Sequence, residues 1–282
     1  MTEHRGLSRR RFLAAGLASA SLATMMGRGP LIADDKSPYG QFKMGIQSYS
    51  LRHYKVDEAL AKSKELGLKY WESFSSHLPL TDDTAKIAEY KMKLSDAGIT
   101  LMAYGVQGFG KNTDENRKQF EFAKAMGISS ISADPTPEAF DNLDKLVEEY
   151  KINIAIHNHG PGARYDKIDS VLKAIANHHE RIGACVDTGH YLRSDVNPVD
   201  AIVAFGPRTY GVHLKDVKNL PEGKKQFTIL GKGDLDLVGC LKQLAKLRFA
   251  GCMSLEYEEN PENPIADIRE CLAAVQEAVK KV

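Results

Sequence analysis

Short runs rich in β-branched and aromatic residues alternate with longer segments in which apolar residues recur every three or four positions. The short runs are typical of buried strands, and the longer segments are typical of amphipathic helices. Eight runs of the strand type occur, at residues 44–50, 69–74, 99–105, 128–134, 152–158, 182–188, 210–216 and 251–257.

Each interval between these runs predicts one helix, and a last helix follows the eighth run. Several of the predicted helices stop at a glycine just before the next strand, namely Gly67, Gly98 and Gly127. Glycine tolerates the left-handed conformation with which many helices end. The clearest helical patterns span residues 56–66, 81–97, 112–126, 137–150, 166–177, 235–247 and 263–282.

Eight strand–helix units in about 249 residues match the size of a (β/α)₈ barrel. A doubly wound open sheet also alternates strands with helices, but it usually carries a glycine-rich phosphate turn after its first strand. The first strand here is followed by no GxGxxG motif. We therefore predict a single α/β TIM barrel over residues 40–282, with one long insertion, 217–234, at the carboxyl end of the barrel where active sites form.

The first 33 residues have the pattern of a targeting segment. A basic stretch ending in Arg9-Arg10-Arg11 leads into an apolar, alanine-rich run from Phe12 to Met26, and small residues follow up to Ala33. The apolar run is shorter than the roughly 20 residues that a membrane span needs. We expect a cleaved signal of the twin-arginine type, export to the periplasm and no stable membrane insertion after processing. The alternatives are an uncleaved anchor or an amphipathic helix.

Composition adds two constraints on the partners and the cysteines. The 282 residues carry a net charge of +1, with 43 % hydrophobic residues, and the chain without residues 1–33 carries −3 because that segment holds five Arg and one Glu. A protein without a basic surface is a poor nucleic-acid binder, so we expect no nucleic-acid partner. The four cysteines contain no CxxC pair, and we expect buried thiols rather than disulfides. The sequence leaves a homo-oligomer open.

Polar residues end four successive predicted strands, where a barrel strand should be apolar. Because all the carboxyl ends of barrel strands meet at one face, these side chains should converge. Two His and two carboxylates would suit Mn²⁺, Co²⁺, Zn²⁺, Fe²⁺ or Ni²⁺. Strand alternation places His157 on the same face as His159, and His213 on the same face as Lys215. The four ends read His157-Asn158-His159, Asp187-Thr188-Gly189-His190, His213-Leu214-Lys215-Asp216 and Glu256-Tyr257-Glu258-Glu259.

With these motifs the chain resembles the xylose isomerase-like TIM-barrel superfamily, the sugar phosphate isomerases and epimerases. The motifs are DTGH in the sixth strand unit, HLKD in the seventh, LE in the eighth, and the G-x-G turn of residues 231–233. The resemblance covers about residues 42–280. It implies a divalent metal held by Asp187, His213 and Glu256, and a small carbohydrate substrate.

The resemblance is incomplete at the fifth strand. Where the epimerases of that family carry a ligand Glu, this chain has His157, which can bind metal as an imidazole. In those epimerases the glutamates of the fifth and eighth strands act as the acid–base pair, so the reaction is left open among isomerisation, epimerisation and β-elimination. Elimination would match a site like that of the inosose dehydratases.

Six residues are candidates for the chemistry itself. His159 or His157 could act as a general base, and Glu256 could serve as ligand and base. The resemblance implies a substrate or second-metal role for His190 and a pocket position for Glu72, and Lys215 could contact a substrate oxygen. Buried ion pairing is the alternative for Glu72 and Lys215.

Four further residues have mainly structural interpretations. Gln47 could line the pocket floor, and Trp71 should pack in the core. We expect His53 and His77 to be surface histidines in the loops after the first two strands.

The sequence thus predicts an exported, metal-dependent enzyme that acts on an unphosphorylated keto-sugar or 3-keto-glycoside through an enediolate. A sugar-binding barrel without catalysis is the alternative, because the fifth-strand Glu is missing. An endonuclease IV-like phosphodiesterase is less favoured, because it would need further zinc ligands after the seventh strand and residues 217–234 contain no His.

Overall fold

The computed structural model describes residues 37–282, and residues 38–282 form one compact unit. The predicted leader lies outside the described residues. The described residues form ten strands, and eight of them close into a parallel barrel in the order β1-β10-β7-β6-β5-β4-β3-β2. The strands are β1 Lys43–Gln47, β2 Tyr70–Ser73, β3 Thr100–Phe109, β4 Ser130–Pro135, β5 Asn153–His157, β6 Ile182–Asp187, β7 Thr209–Leu214, β8 Asp216–Asn219, β9 Lys225–Thr228 and β10 Cys252–Leu255.

The helices pack around this barrel and confirm the predicted TIM-barrel fold. Four short 3₁₀ helices accompany them, at Ser48–Leu51, Pro137–Ala139, Gly206–Arg208 and Pro221–Gly223. The α-helices are α1 Val56–Glu65, α2 Thr84–Ala97, α3 Thr113–Met126, α4 Phe140–Tyr150, α5 Ile168–Ile175, α6 Thr188–Arg193, α7 Pro198–Phe205, α8 Leu237–Lys246 and α9 Ile265–Val279. None of the helices in the described range is long and apolar enough to cross a membrane.

Local sequence signals explain several helix ends. The Asp83 carboxylate accepts a hydrogen bond from the backbone N–H of Ala85 at 2.8 Å and so caps α2. The same helix ends at Gly98, whose φ of 69° lies in the left-handed region that glycine tolerates best. Capping therefore starts α2 three residues later than the predicted residue 81.

The strands differ from prediction mainly in their ends. The first strand stops at Gln47 because residues 48–51 turn into a 3₁₀ helix, and β3 extends to Phe109. Two short helices, α6 and α7, stand where one was expected, because the Asp187 side chain caps α6 directly at the end of β6.

The insertion after the seventh barrel strand forms an antiparallel hairpin of β8 and β9. The buried Asp216 organises it. Its carboxylate accepts hydrogen bonds from the backbone N–H groups of Val217, Gly231, Gly233 and Leu235 at 2.8–3.0 Å. One side chain therefore closes a loop of almost 20 residues over the carboxyl end of the barrel.

The core follows the expected burial pattern with one exception. Trp71 is fully buried, and its indole N–H donates to Ser63 Oγ at 3.0 Å. The four cysteines are free and buried. The expectation for His77 was wrong. Its imidazole is buried, stacks on Trp71 with 5.6 Å between ring centroids, and hydrogen bonds to the Tyr54 carbonyl oxygen.

Candidate metal centre and active site

Four side chains at the carboxyl ends of neighbouring strands converge inside the barrel. We call His157, Asp187, His213 and Glu256 the ligand cluster. His157 and Asp187 end β5 and β6, His213 lies in β7 opposite Asp187 in the parallel register, and Glu256 directly follows β10. One potential ligand atom from each residue lies within 4.8 Å of all the others, and all four residues are buried. His157 of the fifth strand therefore lies beside Asp187, His213 and Glu256, the three ligands that the resemblance implied.

The donor atoms of the ligand cluster suit a divalent cation. His213 Nδ1 lies 3.0 Å from His157 Nε2 and 2.9 Å from Glu256 Oε2, and His157 Nε2 lies 3.3 Å from Asp187 Oδ2. Asp187 Oδ2 and Glu256 Oε2 are buried, and the Lys215 ammonium group lies next to both of them. Two carboxylate oxygens beside two imidazole nitrogens form a mixed set of oxygen and nitrogen donors that fits a divalent metal ion.

The pKa values of His157 and Asp187 favour metal binding, whereas Cys185, Glu72 and Glu256 outweigh burial and raise the pKa of His213, which would release a proton when a metal binds. Burial lowers the pKa of His157 to about 4, which keeps its imidazole neutral at neutral pH, the form that ligates metals. Burial alone would raise the pKa of Asp187, but the charge of Lys215 and the contacts with His190 and His157 together outweigh it and hold that pKa well below its usual value. Asp187 is therefore an anionic donor.

Backbone hydrogen bonds fix the orientation of Asp187. Asn158 Nδ2 donates to the Asp187 carbonyl oxygen at 3.0 Å, and the Asp187 N–H donates to Asn158 Oδ1 at 2.8 Å. The His190 N–H donates to Asp187 Oδ1 at 2.7 Å, which caps α6. Because Oδ1 is used by the helix, Oδ2 is the oxygen left for a metal.

Glu72 supports the cluster from behind. Its Oε2 lies 2.9 Å from His213 Nε2 and accepts a hydrogen bond from Ser254 Oγ at 2.9 Å. Burial opposes ionisation, yet its contacts with His213 lower the pKa of Glu72 below the usual value. A carboxylate next to Nε2 favours the tautomer with the proton on Nε2, which leaves the Nδ1 lone pair for the metal. The structure thus places Glu72 beneath a ligand and not among the residues that line the cavity.

Lys215 connects the ligand cluster to the cavity. Its Nζ lies 2.9 Å from Glu256 Oε2 and 3.1 Å from Asp187 Oδ2, and it pairs with the Glu258 carboxylate. Burial opposes the charge, but the three carboxylates outweigh burial and raise the pKa of Lys215 above its usual value. Lys215 therefore remains a cation at the floor of the site.

A cavity of about 330 Å³ opens above the cluster. This volume is at the lower end of the range for small-molecule sites, so it suits a single sugar ring at the floor. Five of the predicted site residues line it together: His157, His159, His190, Lys215 and Glu256. The remaining lining residues are Gln47, Tyr49, Phe74, Ser75, Gly105, Val106 and Glu258.

The two histidines that line one wall differ in their surroundings. His190 is held in contact with the His157 and His159 rings and with Phe227, a residue of the hairpin, at 5.6 Å between centroids. Burial lowers the pKa of His190 to about 3, so its imidazole is neutral. His159 lies 4.6 Å from the His157 ring and faces the same cavity.

Sequence reasoning missed several lining residues, among them Glu258, Tyr49 and Phe74. Glu258 could have been found, because it stands two positions after Glu256 and alternation turns both side chains to the same side. Tyr49 and Phe74 follow the first two strands and have no polar signature, so only the structure places them at the cavity.

Comparisons with known proteins agree with this architecture. The model of the family described as xylose isomerase-like TIM barrel matches residues 60–275. The rhizopine catabolism protein MocC of Rhizobium meliloti is 28 % identical over 211 residues, which are 70 % of this chain and 64 % of MocC. An inosose dehydratase of Klebsiella pneumoniae is 30 % identical over 143 residues, 44 % of this chain and 47 % of the relative.

A solved structure of the IOLI protein with a binding zinc atom superposes with a TM-score of 0.69 at 18 % identity, and the match covers 85 % of this chain and 99 % of that chain. At that identity the likeness concerns the fold. The chain spans about half to two thirds of the length of the curated relatives named above.

Proposed function

The chain belongs to the xylose isomerase-like TIM barrel family, and we propose that it is a divalent-metal-dependent enzyme that acts on a keto-sugar or 3-keto-glycoside through an enediolate. One observation carries the proposal: the buried cluster of two imidazoles and two carboxylates forms the floor of a cavity whose walls present His159, His190 and Lys215. Strong metal donors and potential proton carriers thus face the same space.

His157, Asp187, His213 and Glu256 would hold the metal, which we expect to be Mn²⁺, Co²⁺, Zn²⁺, Fe²⁺ or Ni²⁺. When bound, such an ion would polarise the substrate carbonyl and stabilise negative charge on its oxygen. The zinc in the IOLI structure supports a divalent ion of this group.

The residues of this chain would supply the proton transfers and the charge. His159, which lines the cavity beside His157, would accept the proton from the carbon next to the carbonyl. Lys215, a buried cation, would stabilise the enediolate oxygen electrostatically. His190 would contact a neighbouring hydroxyl group.

We favour β-elimination as the outcome. The base removes the proton from C2 of a 3-keto-glycoside, the electron pair forms the C1–C2 double bond, and the C1–O bond breaks. The leaving oxygen takes up a proton, so the products are an unsaturated ketone and an alcohol. Two points support this: His157 replaces the second carboxylate of the epimerases, and relatives include an inosose dehydratase.

Metal content and proton exchange test this function. Purified protein should contain close to one divalent ion per chain, and it should exchange the α-proton of a 3-keto-glucoside for deuterium in D₂O. His213→Ala should lose both properties, whereas His53→Ala, at an exposed histidine, should keep them. Absence of exchange in the metal-loaded protein would contradict the proposal, and sugar binding without exchange would indicate the non-catalytic barrel.

We also propose export by the twin-arginine route, with a periplasmic location and cleavage near Ala33. The support is the segment Ser8-Arg9-Arg10-Arg11-Phe12-Leu13 followed by a short apolar run. Replacing Arg9, Arg10 and Arg11 by Lys should retain the protein in the cytoplasm. Fractionation with an antibody would show this, and export at the wild-type level would contradict it.

A further inference from the structure

Two aromatic side chains form a wall of the cavity that the chemistry above does not use. Tyr49 lies in the 3₁₀ helix after β1, and Phe74 directly follows β2. Their rings meet edge to face, with 5.4 Å between centroids and 80° between planes. Both line the cavity that opens above the ligand cluster.

Contacts from three loops hold this wall in place. The Phe74 N–H donates to Ser48 Oγ at 3.0 Å. Arg52 lies over the Tyr49 ring at 4.5 Å and donates to the Glu258 carbonyl oxygen at 2.8 Å. Arg52 is not among the residues that line the cavity. These contacts therefore hold the Tyr49 and Phe74 rings in position without a bound substrate.

The wall is at a different depth from the ligand cluster. The cluster residues are buried, whereas Tyr49 is 36 % exposed, so Tyr49 lies toward the cavity mouth. A sugar ring whose carbonyl reaches the cluster would fill the floor, and any group attached to that ring would pass along the wall.

We propose that Tyr49 and Phe74 form a binding subsite for a second sugar ring, the leaving group of a 3-keto-disaccharide. The electron-rich faces of aromatic rings attract the polarised C–H groups of a sugar face, and the apolar wall offers few competing hydrogen bonds. The inference rests on the proposed function and narrows its substrate from any keto-sugar to a glycoside with a ring on the leaving side.

Turnover of two matched substrates tests the subsite. One is a 3-keto-disaccharide, and the other is the corresponding methyl 3-keto-glycoside, which lacks the second ring. In Tyr49→Ala, kcat/KM for the disaccharide should fall about tenfold, while kcat/KM for the methyl glycoside should change less than about twofold. Phe74→Ala should act in the same direction, and Tyr49→Phe should preserve the preference because it keeps the ring.

Met92→Ala is the matched control, because Met92 is an exposed apolar residue of α2 that does not line the cavity. It should leave both values unchanged. An equal loss on both substrates in Tyr49→Ala, or no loss on either, would overturn the subsite.

Calorimetric binding separates this inference from the proposed function. If wild-type protein turns over neither sugar but binds the disaccharide more tightly than the methyl glycoside, and Tyr49→Ala removes that difference, the subsite stands and the proposed reaction fails. If wild-type protein binds or converts both sugars equally well, the subsite fails and the proposed reaction is unaffected.

Discussion

His157 sets the charge of the ligand cluster. With a metal bound, both imidazoles would be neutral and the four donors would carry −2, which one divalent ion neutralises, whereas a glutamate at this position would bring the donors to −3. Imidazole donors favour Zn²⁺, Fe²⁺, Ni²⁺ and Co²⁺ over the hard Mg²⁺, which prefers oxygen ligands. We therefore expect this one change from the epimerase pattern to alter the metal preference, with an imidazole in place of a carboxylate of the acid–base pair.

His157→Glu should shift the metal preference toward harder ions. We expect the ratio of Zn²⁺ to Mn²⁺ affinity to fall by about tenfold, since a hard oxygen replaces a borderline nitrogen. Competitive titration with a chelator measures both affinities. His53→Glu adds the same charge at an exposed position and should leave the ratio unchanged.

Glu72 acts through His213. In Glu72→Gln the side chain keeps its size but loses the charge that holds the His213 tautomer. We expect metal affinity to fall about 10- to 100-fold with little change in the far-ultraviolet circular dichroism. Calorimetry provides the affinity. An unchanged affinity accompanied by lost turnover would instead place Glu72 in direct contact with the substrate.

Glu258 keeps the ammonium group of Lys215 at the cavity. In Glu258→Gln the remaining partners of Lys215 are Asp187 and Glu256, the carboxylates of the metal donors. Loss of a charge-assisted hydrogen bond is worth about 1.5–3 kcal/mol, so kcat/KM should fall roughly 10- to 100-fold. Metal stoichiometry should stay at the wild-type value. Glu259→Gln, at the next position along the chain, is the matched control.

At the scale of the element, the hairpin depends on Asp216. This carboxylate accepts four backbone N–H groups, and the hairpin it closes carries Phe227 against His190 and over Lys215. The hairpin therefore connects the buried Asp216 side chain, just after β7, to the packing of Phe227 against His190 in the cavity wall.

Asp216→Asn should loosen this hairpin. An amide has one acceptor oxygen and places its own N–H₂ near backbone donors, so we expect a loss of about 2–4 kcal/mol in the free energy of unfolding. Hydrogen exchange at residues 226–231 should accelerate. Asp234→Asn is the control, because Asp234 accepts hydrogen bonds only at the exposed Asn219. Equal protection of the hairpin from hydrogen exchange in both variants would contradict the role of Asp216 in holding the hairpin closed.

The strands and the ligand cluster were accessible from the sequence for a physical reason. Apolar runs of fixed length specify barrel strands, and a polar residue such as Asp187 at the end of such a run is a local signal. The missed features depend on contacts between distant segments. Glu72 meets His213 across the barrel, and His77 is buried only because Trp71 and Tyr54 come to it. No periodicity of either segment encodes these contacts.

At the scale of the whole molecule, the barrel buries imidazoles that must remain neutral. Burial lowers the pKa of His157 to about 4 and that of His190 to about 3, and it lowers the pKa of His77 as well. In the unfolded chain each imidazole has a pKa of about 6.5. At these three positions the unfolded state therefore binds more protons than the folded state below pH 6.5, so their contribution to stability is full above pH 6.5 and falls as the pH decreases. His213 acts in the opposite sense, because Cys185, Glu72 and Glu256 outweigh burial and raise its pKa, so its contribution is full below pH 6.5 and is lost as the pH rises further.

We expect the metal-free protein to lose stability between pH 6.5 and 5, with each buried imidazole contributing up to about 1.4 kcal/mol per pH unit. Urea unfolding at pH 5, 6 and 7 in the presence of a chelator measures the slope. His77→Gln should reduce the slope by roughly one such contribution, because glutamine does not titrate and can still donate to Tyr54. His53→Gln should leave the slope unchanged, since His53 is exposed in the folded state. Stability that is constant over this range would show that the three imidazoles take up protons without unfolding, and the barrel would then be more hydrated around them than their burial indicates.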